Sequence, residues 1–214
     1  MLGYDGMIYQ ALKRFSDRVI AHLLWLVCSL PIVTLGASTG ALYHALLERR
    51  MGSELPISEL FWQGFRQYGK KASGLFWLLA LGGLVLCSNT LFWNRVAQGV
   101  FAEGMALVTV ALWVPYLLIC LYAFGVLQLY PTQSIKEILM QALYTAYANP
   151  FKTLRLAASW GVLIWLNLLT VYINVMTLLV GFGVFLDLAV LPVLSQTVQK
   201  TQCPTWLYRI LGKS

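Results

Sequence analysis

Ser29-Leu-Pro-Ile-Val-Thr-Leu-Gly-Ala-Ser-Thr-Gly-Ala-Leu-Tyr43 is the stretch on which the fold turns. It lies inside an apolar run from Val19 to Leu47, yet it is punctuated like a loop. Pro31 removes a backbone donor and disfavours helix at the residue before it, while Gly36 and Gly40 leave the backbone pliable. Thr34, Ser38 and Thr39 bring hydroxyls able to satisfy the backbone groups that such a break frees. Two readings follow. Either the run dips into a membrane and returns as a broken, re-entrant hairpin, or it is one Pro-kinked spanning helix. In the second case the Ala37-Ser38-Thr39-Gly40-Ala41 face serves for close helix packing.

The rest of the chain puts this stretch in a membrane. Of its 214 residues, 59% are hydrophobic and only 11% charged, too few charges to solvate a soluble surface. Ala72 to Asn94 and Gly104 to Ile135 contain no Asp, Glu, Lys or Arg, and Leu156 to Gln199 contains a single charge, Asp187. A span needs about 20 apolar residues, so these runs hold roughly one, one and two helices. The expected architecture is all-α: a polytopic transmembrane bundle of about four to five spans with added amphipathic interfacial helices, forming one domain over residues 1–214. Eight Trp, eleven Tyr and ten Phe supply interfacial belts, with Trp25, Trp77, Trp93, Trp113, Trp160 and Trp206 near expected helix ends or flanks. The net charge of +7 fits cytoplasmic loops and anionic headgroups, and no RNA-reading motif or basic helix points to nucleic acid. Cys28, Cys87, Cys120 and Cys203 are scattered, without C-x-x-C or metal-ligand spacing, and read as small packing residues. Lys13 and Arg14 ahead of the first apolar run resemble a secretory leader, but the run is long, contains Pro31 and ends at a poor cleavage site, so it is expected to be retained.

In order, Met1 to Arg18 reads as an amphipathic prelude lying on the surface, with Ile8, Leu12 and Phe15 at helical spacing. After the broken element, Glu48 to Lys71 is a polar connection. There Ser53 or Ser58 would cap a helix carrying Leu60, Phe61, Phe65 and Tyr68 as an apolar stripe that feeds into the next span. Arg66, Lys70 and Lys71 ring that stripe; binding of phosphate or sugar is the sharper reading of this cluster and ordinary positive-inside charge the plainer one. Spans are expected at Ala72–Asn94, at Met105–Leu129 with a kink near Pro115, at Leu156–Tyr172 and at Met176–Val198. Between the second and third, Pro131 to Pro150 is amphipathic: Ile135, Ile138, Leu139, Ala142, Leu143 and Ala146 face one way, with Lys136, Glu137 and Gln141 elsewhere. Residues 19–94 and 105–175 share this order of elements as a faint repeat, a pattern frequent in transporters.

Charge asymmetry weighs the two readings of the broken element. If it crosses once, the basic residues split 11 to 4 between the faces; if it dips and returns, Lys13, Arg14 and Arg18 join the larger group and only Arg95 lies outside. The positive-inside rule therefore favours the re-entrant hairpin, with both termini cytoplasmic.

Leu30 to Tyr43, preceded by Leu23-Leu-Trp-Leu26, resembles the opening motif of the YesL-like family of small bacterial membrane proteins. Phe61 to Ala72 is similar to that family's Phe-x-x-x-Phe-x-x-Asn-Phe-Lys-x-Ala stretch, and Asn149-Pro150 ahead of Thr153-Leu154 to its later Asn-Pro signature. The chain departs from the pattern at Tyr68-Gly69, where Asn-Phe is usual, and at His22, where Asn often stands. The family's own domain has no assigned biochemical function. Its members are often associated with ATP-driven sugar-uptake systems, so the resemblance implies a transport-linked role in the bacterial inner membrane and no catalytic residues.

The candidate intramembrane polar or packing residues are Asp187, Thr34, Gly36, Ser38, Thr39, Gly40, His22 and Asn167. Asp187 is the sole acid within the apolar runs, where an uncompensated carboxylate costs about 2.5–3.5 kcal/mol. Its prospective partners are His22, Asn89, Asn94 and Asn167, and it reads either as a coupling residue or as a neutral, hydrogen-bonded structural one. His22 and His44 lack the neighbours of a metal site, so neither metal nor cofactor is expected. No P-loop, nucleophile elbow or paired carboxylate is present, so no enzyme is expected and any ATP-driven role needs a motor on another chain. The expected function is that of a membrane accessory protein assisting solute uptake, carbohydrate by resemblance, through binding a transporter permease. The alternatives are an autonomous, oligomeric transporter or channel with Asp187, Thr34, Ser38 and Thr39 along its path, and, behind it, a membrane enzyme acting on lipid-linked or glycan substrates.

Overall fold

A computed structural model describes residues 4–95, 99–169 and Leu186, and every regular element among them is helical. The order is α1 (Tyr4–Ser29), a short 3-10 turn (Ile32–Thr34), α2 (Leu35–Arg50), α3 (Ile57–Arg95), α4 (Val100–Leu129), α5 (Ile135–Ala148) and α6 (Pro150–Leu169).

The amphipathic prelude is not a separate surface helix. Nothing between Asp17 and Ile20 breaks the helix, so α1 runs through to Ser29. There Pro31, held in extended conformation, ends it. The chain then turns back. The Asp17 carboxylate lies 3.0 Å from the Arg49 guanidinium, Trp25 bonds Thr39, and Ser29 meets Ser38, so α1 and α2 lie antiparallel as a hairpin. The first run is therefore not one kinked helix.

α3 begins after Pro56, whose carbonyl accepts from the Glu59 and Leu60 N–H groups, so neither Ser53 nor Ser58 caps it. It continues unbroken for 39 residues, about 58 Å at 1.5 Å per residue. The expected interfacial helix and the span after it are thus one rod. α4 returns antiparallel to it: the Tyr116 hydroxyl donates to the Leu79 carbonyl, Trp113 Nε1 to the Thr90 hydroxyl, and Asn89 to Thr109. Trp113 therefore sits within a helix as an interhelical donor, away from the helix ends where a belt residue is expected.

Ser134 starts α5 with a reciprocal capping box: its hydroxyl accepts from the Glu137 N–H, and Glu137 Oε2 accepts from the Ser134 N–H. Glu137 and Gln141 are buried beside Ile138, Ala142 and Ala146, so the inward face takes in two residues expected elsewhere. Losing the cap in Ser134→Ala is expected to cost about 1 kcal/mol, read as a lower thermal midpoint in detergent, with Lys136→Ala on the exposed face near neutral. Asn149 ends α5 and Pro150 opens α6, a break where α3 has none at Lys70-Lys71. Thr153 bridges it, donating to the Ala146 carbonyl and lying 3.0 Å from the buried Tyr122 hydroxyl.

Buried side chains concentrate at one end of the bundle: Leu42, Leu46, Leu60, Phe61 and Leu75 pack with Tyr122, Val126, Leu127, Ile138 and Leu156, and Leu186 joins this core. Beyond that end the α3–α4 pair continues with apolar side chains outward, among them Leu81, Leu84, Val85 and Leu91 on α3 and Leu107, Val110 and Val114 on α4. Only these two helices are, among the described residues, long and apolar enough to cross a membrane, fewer than the four to five expected. Their most apolar stretches are 6% and 28% buried, which sets them apart from the core helices of a soluble protein. α2 is too short at 16 residues and α1 shares its length with charges, while α6 is described only as far as Leu169, so the expected span at Leu156–Tyr172 lies partly outside the described residues. The expected span at Met176–Val198 and the end of the 105–175 repeat unit lie outside the described residues.

Candidate functional site

Two sets of small residues on α2 look in opposite directions. Gly36, Gly40 and His44, each four residues after the last, form a ridge against α3. A Cβ on Gly36 would lie 2.6 Å from Ser73 Cα and 2.7 Å from the Ala72 carbonyl oxygen; one on Gly40 would lie 2.7 Å from Ala72 Cβ. Across the same seam, Gly64 leaves room for His44, whose ring lies 5.1 Å from that of Tyr68. The glycines serve contact between backbones. Gln128 of α4 closes the seam from behind, donating from Nε2 to the Gly40 carbonyl at 2.9 Å.

The hydroxyls belong to the hairpin. Thr34 Oγ1 donates to the Cys28 carbonyl at 2.6 Å and lies 2.8 Å from that of Pro31, meeting the acceptor groups released where helix stops. Ser38 and Thr39 each donate to the Leu35 carbonyl and present their remaining lone pairs to α1. Trp25 Nε1 donates to Thr39 Oγ1 at 3.2 Å, and the Ser29 hydroxyl lies 2.7 Å from that of Ser38. His22 is fully buried and stacks on Trp25 with ring centroids 5.3 Å apart. The structure thus brings His22, Thr34, Ser38 and Thr39 into one polar joint and Gly36 and Gly40 into the adjoining seam. Asp187 and the Asn167 side chain lie outside the described residues. Asn89, one prospective Asp187 partner, donates to Thr109; Asn94 donates to the Thr90 carbonyl.

Within the basic cluster, Lys71 Nζ donates to the carbonyls of Pro131 and Gln133, where it holds the turn after α4. Arg66 and Lys70 are exposed. Arg66 also borders an open groove along the first turns of α3, lined by Pro56, Ser58, Glu59, Trp62 and Gln63 and remote from the hydroxyl joint. Among the described residues no three His, Cys, Asp or Glu side chains gather as a metal site would need. Arg49 is the structural linchpin that sequence reasoning missed: besides Asp17, it bonds the Ser53 and Leu55 carbonyls.

Burial holds the His44 imidazole below its ordinary pKa of 6.5, and Glu48 one turn on pulls weakly the other way. The unfolded chain therefore takes up this proton more readily than the folded one. Stability is full above about pH 6.5 and declines as pH falls through that value towards the lowered folded pKa. Thermal midpoints at pH 8 and pH 5 should differ more for the native protein than for His44→Gln.

No curated protein and no solved structure matches the chain. Residues 19–90, which hold the hairpin, the glycine seam and most of α3, match the model of a family described as "Protein of unknown function, DUF624", consistent with the YesL-like resemblance of the same motifs.

Proposed function

We propose that the protein is a multi-pass accessory protein of the bacterial cell membrane that binds a membrane transporter and assists uptake of a solute. It works without catalysis of its own. The observation carrying this reading is the apolar, outward-facing length of α3 and α4 beyond the packed core. Such a helix pair offers lipid and other spanning helices a dry surface, whereas the polar joint of α2 is occupied by its own backbone. Carbohydrate as the solute, and an ATP-driven permease as the partner, rest on the YesL-like resemblance. The charge distribution supports both termini on the cytoplasmic side.

Crosslinking in native membranes, followed by purification in mild detergent, tests the proposal. Stoichiometric recovery of a permease is the expected result. Recovery of the protein with only its own copies, after verified crosslinking, would replace this reading with an autonomous oligomeric transporter. Solute flux in liposomes, abolished by Asp187→Asn, would then be the matching observation.

A further inference from the structure

From the hairpin's geometry we infer that its tip is a shallow lipid-binding wedge: Leu30, Ile32 and Val33 insert at the headgroup–acyl boundary of one leaflet. These side chains are 77%, 65% and 70% exposed. They sit on a pinned turn, because Thr34 ties its hydroxyl to the Cys28 carbonyl and its N–H to that of Pro31, and Ser29 meets Ser38 just behind. The depth of the tip is set by α3. Gly36, one turn past the tip, abuts Ser73 and Phe76, where the charge-free run from Ala72 to Asn94 begins.

From that level α2 runs back beside the polar part of α3, as the contact of His44 with Gly64 shows, and away from the apolar run. The hairpin therefore reaches the edge of the apolar layer and does not enter its middle. Exposed Trp77 and Leu78 stand on α3 at the same edge, and Arg66 and Lys70 are exposed on its outer side. Apolar side chains buried about 5–10 Å, with cations just outside them, suit a bilayer bearing anionic headgroups. A shallow wedge also explains how irregular backbone is tolerated at Leu30–Pro31, where water still reaches the chain.

The inference rests on α3 and α4 crossing the bilayer, and the experiment separates the two. Single cysteines at positions 32, 84 and 51, in a chain with its native cysteines replaced by alanine, carry a small fluorophore in phosphatidylcholine–phosphatidylglycerol vesicles. Quenchers are lipids spin-labelled near the headgroup, lipids labelled deep in the acyl chain, and aqueous iodide. Position 32 should be quenched at least twofold more by the shallow label than by the deep one, and should resist iodide. Position 84 should respond to the deep label, and position 51 to iodide. Iodide access at 32 equal to that at 51, strongest quenching there by the deep label, or shielding from all three quenchers would each overturn the wedge. A position 84 untouched by either lipid label would instead overturn the crossing of α3. Should the cysteine-free chain not fold, a photocrosslinking amino acid at position 32 of the native chain must capture lipid; capture of protein alone overturns the inference.

Discussion

Gly36→Ala will loosen α2 from α3 and lower stability by about 2–3 kcal/mol, although alanine is the better helix former. The new methyl would meet Ser73 Cα at 2.6 Å and the Ala72 carbonyl at 2.7 Å, and backbone cannot swing aside as a side-chain tip can. The helices must separate, and the Gln128 bond to Gly40 is strained with them. In a protein of this size the thermal midpoint should fall by roughly 5–10 °C. Two further glycines calibrate the result. Gly69, where a Cβ makes an ordinary 3.4 Å contact with Ala37, should tolerate alanine with little change. Gly104, which has open space around it, should gain about 0.5–1 kcal/mol from reduced backbone freedom. Equal midpoints for all three variants would mean that the seam is not the tight joint described.

Arg49→Ala is expected to cost about 3 kcal/mol, because one side chain joins three pieces of chain. Its Nε lies 3.0 Å from Asp17 on α1, while Nη1 and Nη2 donate at 2.7 Å to the Ser53 and Leu55 carbonyls ahead of α3. Bonds to charged groups contribute about 1.5–3 kcal/mol each when shielded, and partial exposure trims that figure here. Lysine should not rescue the loss, since a single ammonium cannot fork to carbonyls and a carboxylate together. Asp17→Asn should cost less, about 1 kcal/mol, because the two carbonyl bonds survive. Proteolysis between Met51 and Pro56 gives an independent readout: Arg49→Ala should be cut well before the native protein, and Asp17→Asn should not.

The break at Pro31 and the duty of Thr34 were legible in the sequence because both are local: a proline ends a helix wherever it falls, and a hydroxyl a few residues away meets the freed carbonyl. The reversal of the chain was legible only through charge counting. The capping box was also in plain view as Ser134-x-x-Glu137; reading Glu137 merely as a charge kept Ile138, Ala142 and Ala146 on the buried face of α5 but left out Glu137 and Gln141. Arg49 and Gln128 were different. Their partners lie 32 residues away at Asp17 and 88 away at Gly40, and neither pairing leaves a spacing to read. Run length located the apolar portions of α3 and α4 well, and these are the two spans found among the described residues. Val19–Leu47 holds enough apolar residues for one, yet folds back on itself before it is long enough. Of the candidate site, Gly36, Ser38, Thr39 and Gly40 share one helix, but their division into a face towards α3 and a face towards α1 follows from where those helices pack.

The absence of any break in α3 has a mechanical consequence. Its outer portion, residues 80–95, projects beyond the core by 16 residues, about 24 Å of rigid lever paired with α4. The glycine seam grips the opposite end with no slack, so the core is the fulcrum. A neighbour in the bilayer that tilts the α3–α4 pair by about 10° would move its outer tip by about 4 Å and pass that push to α2 as torque.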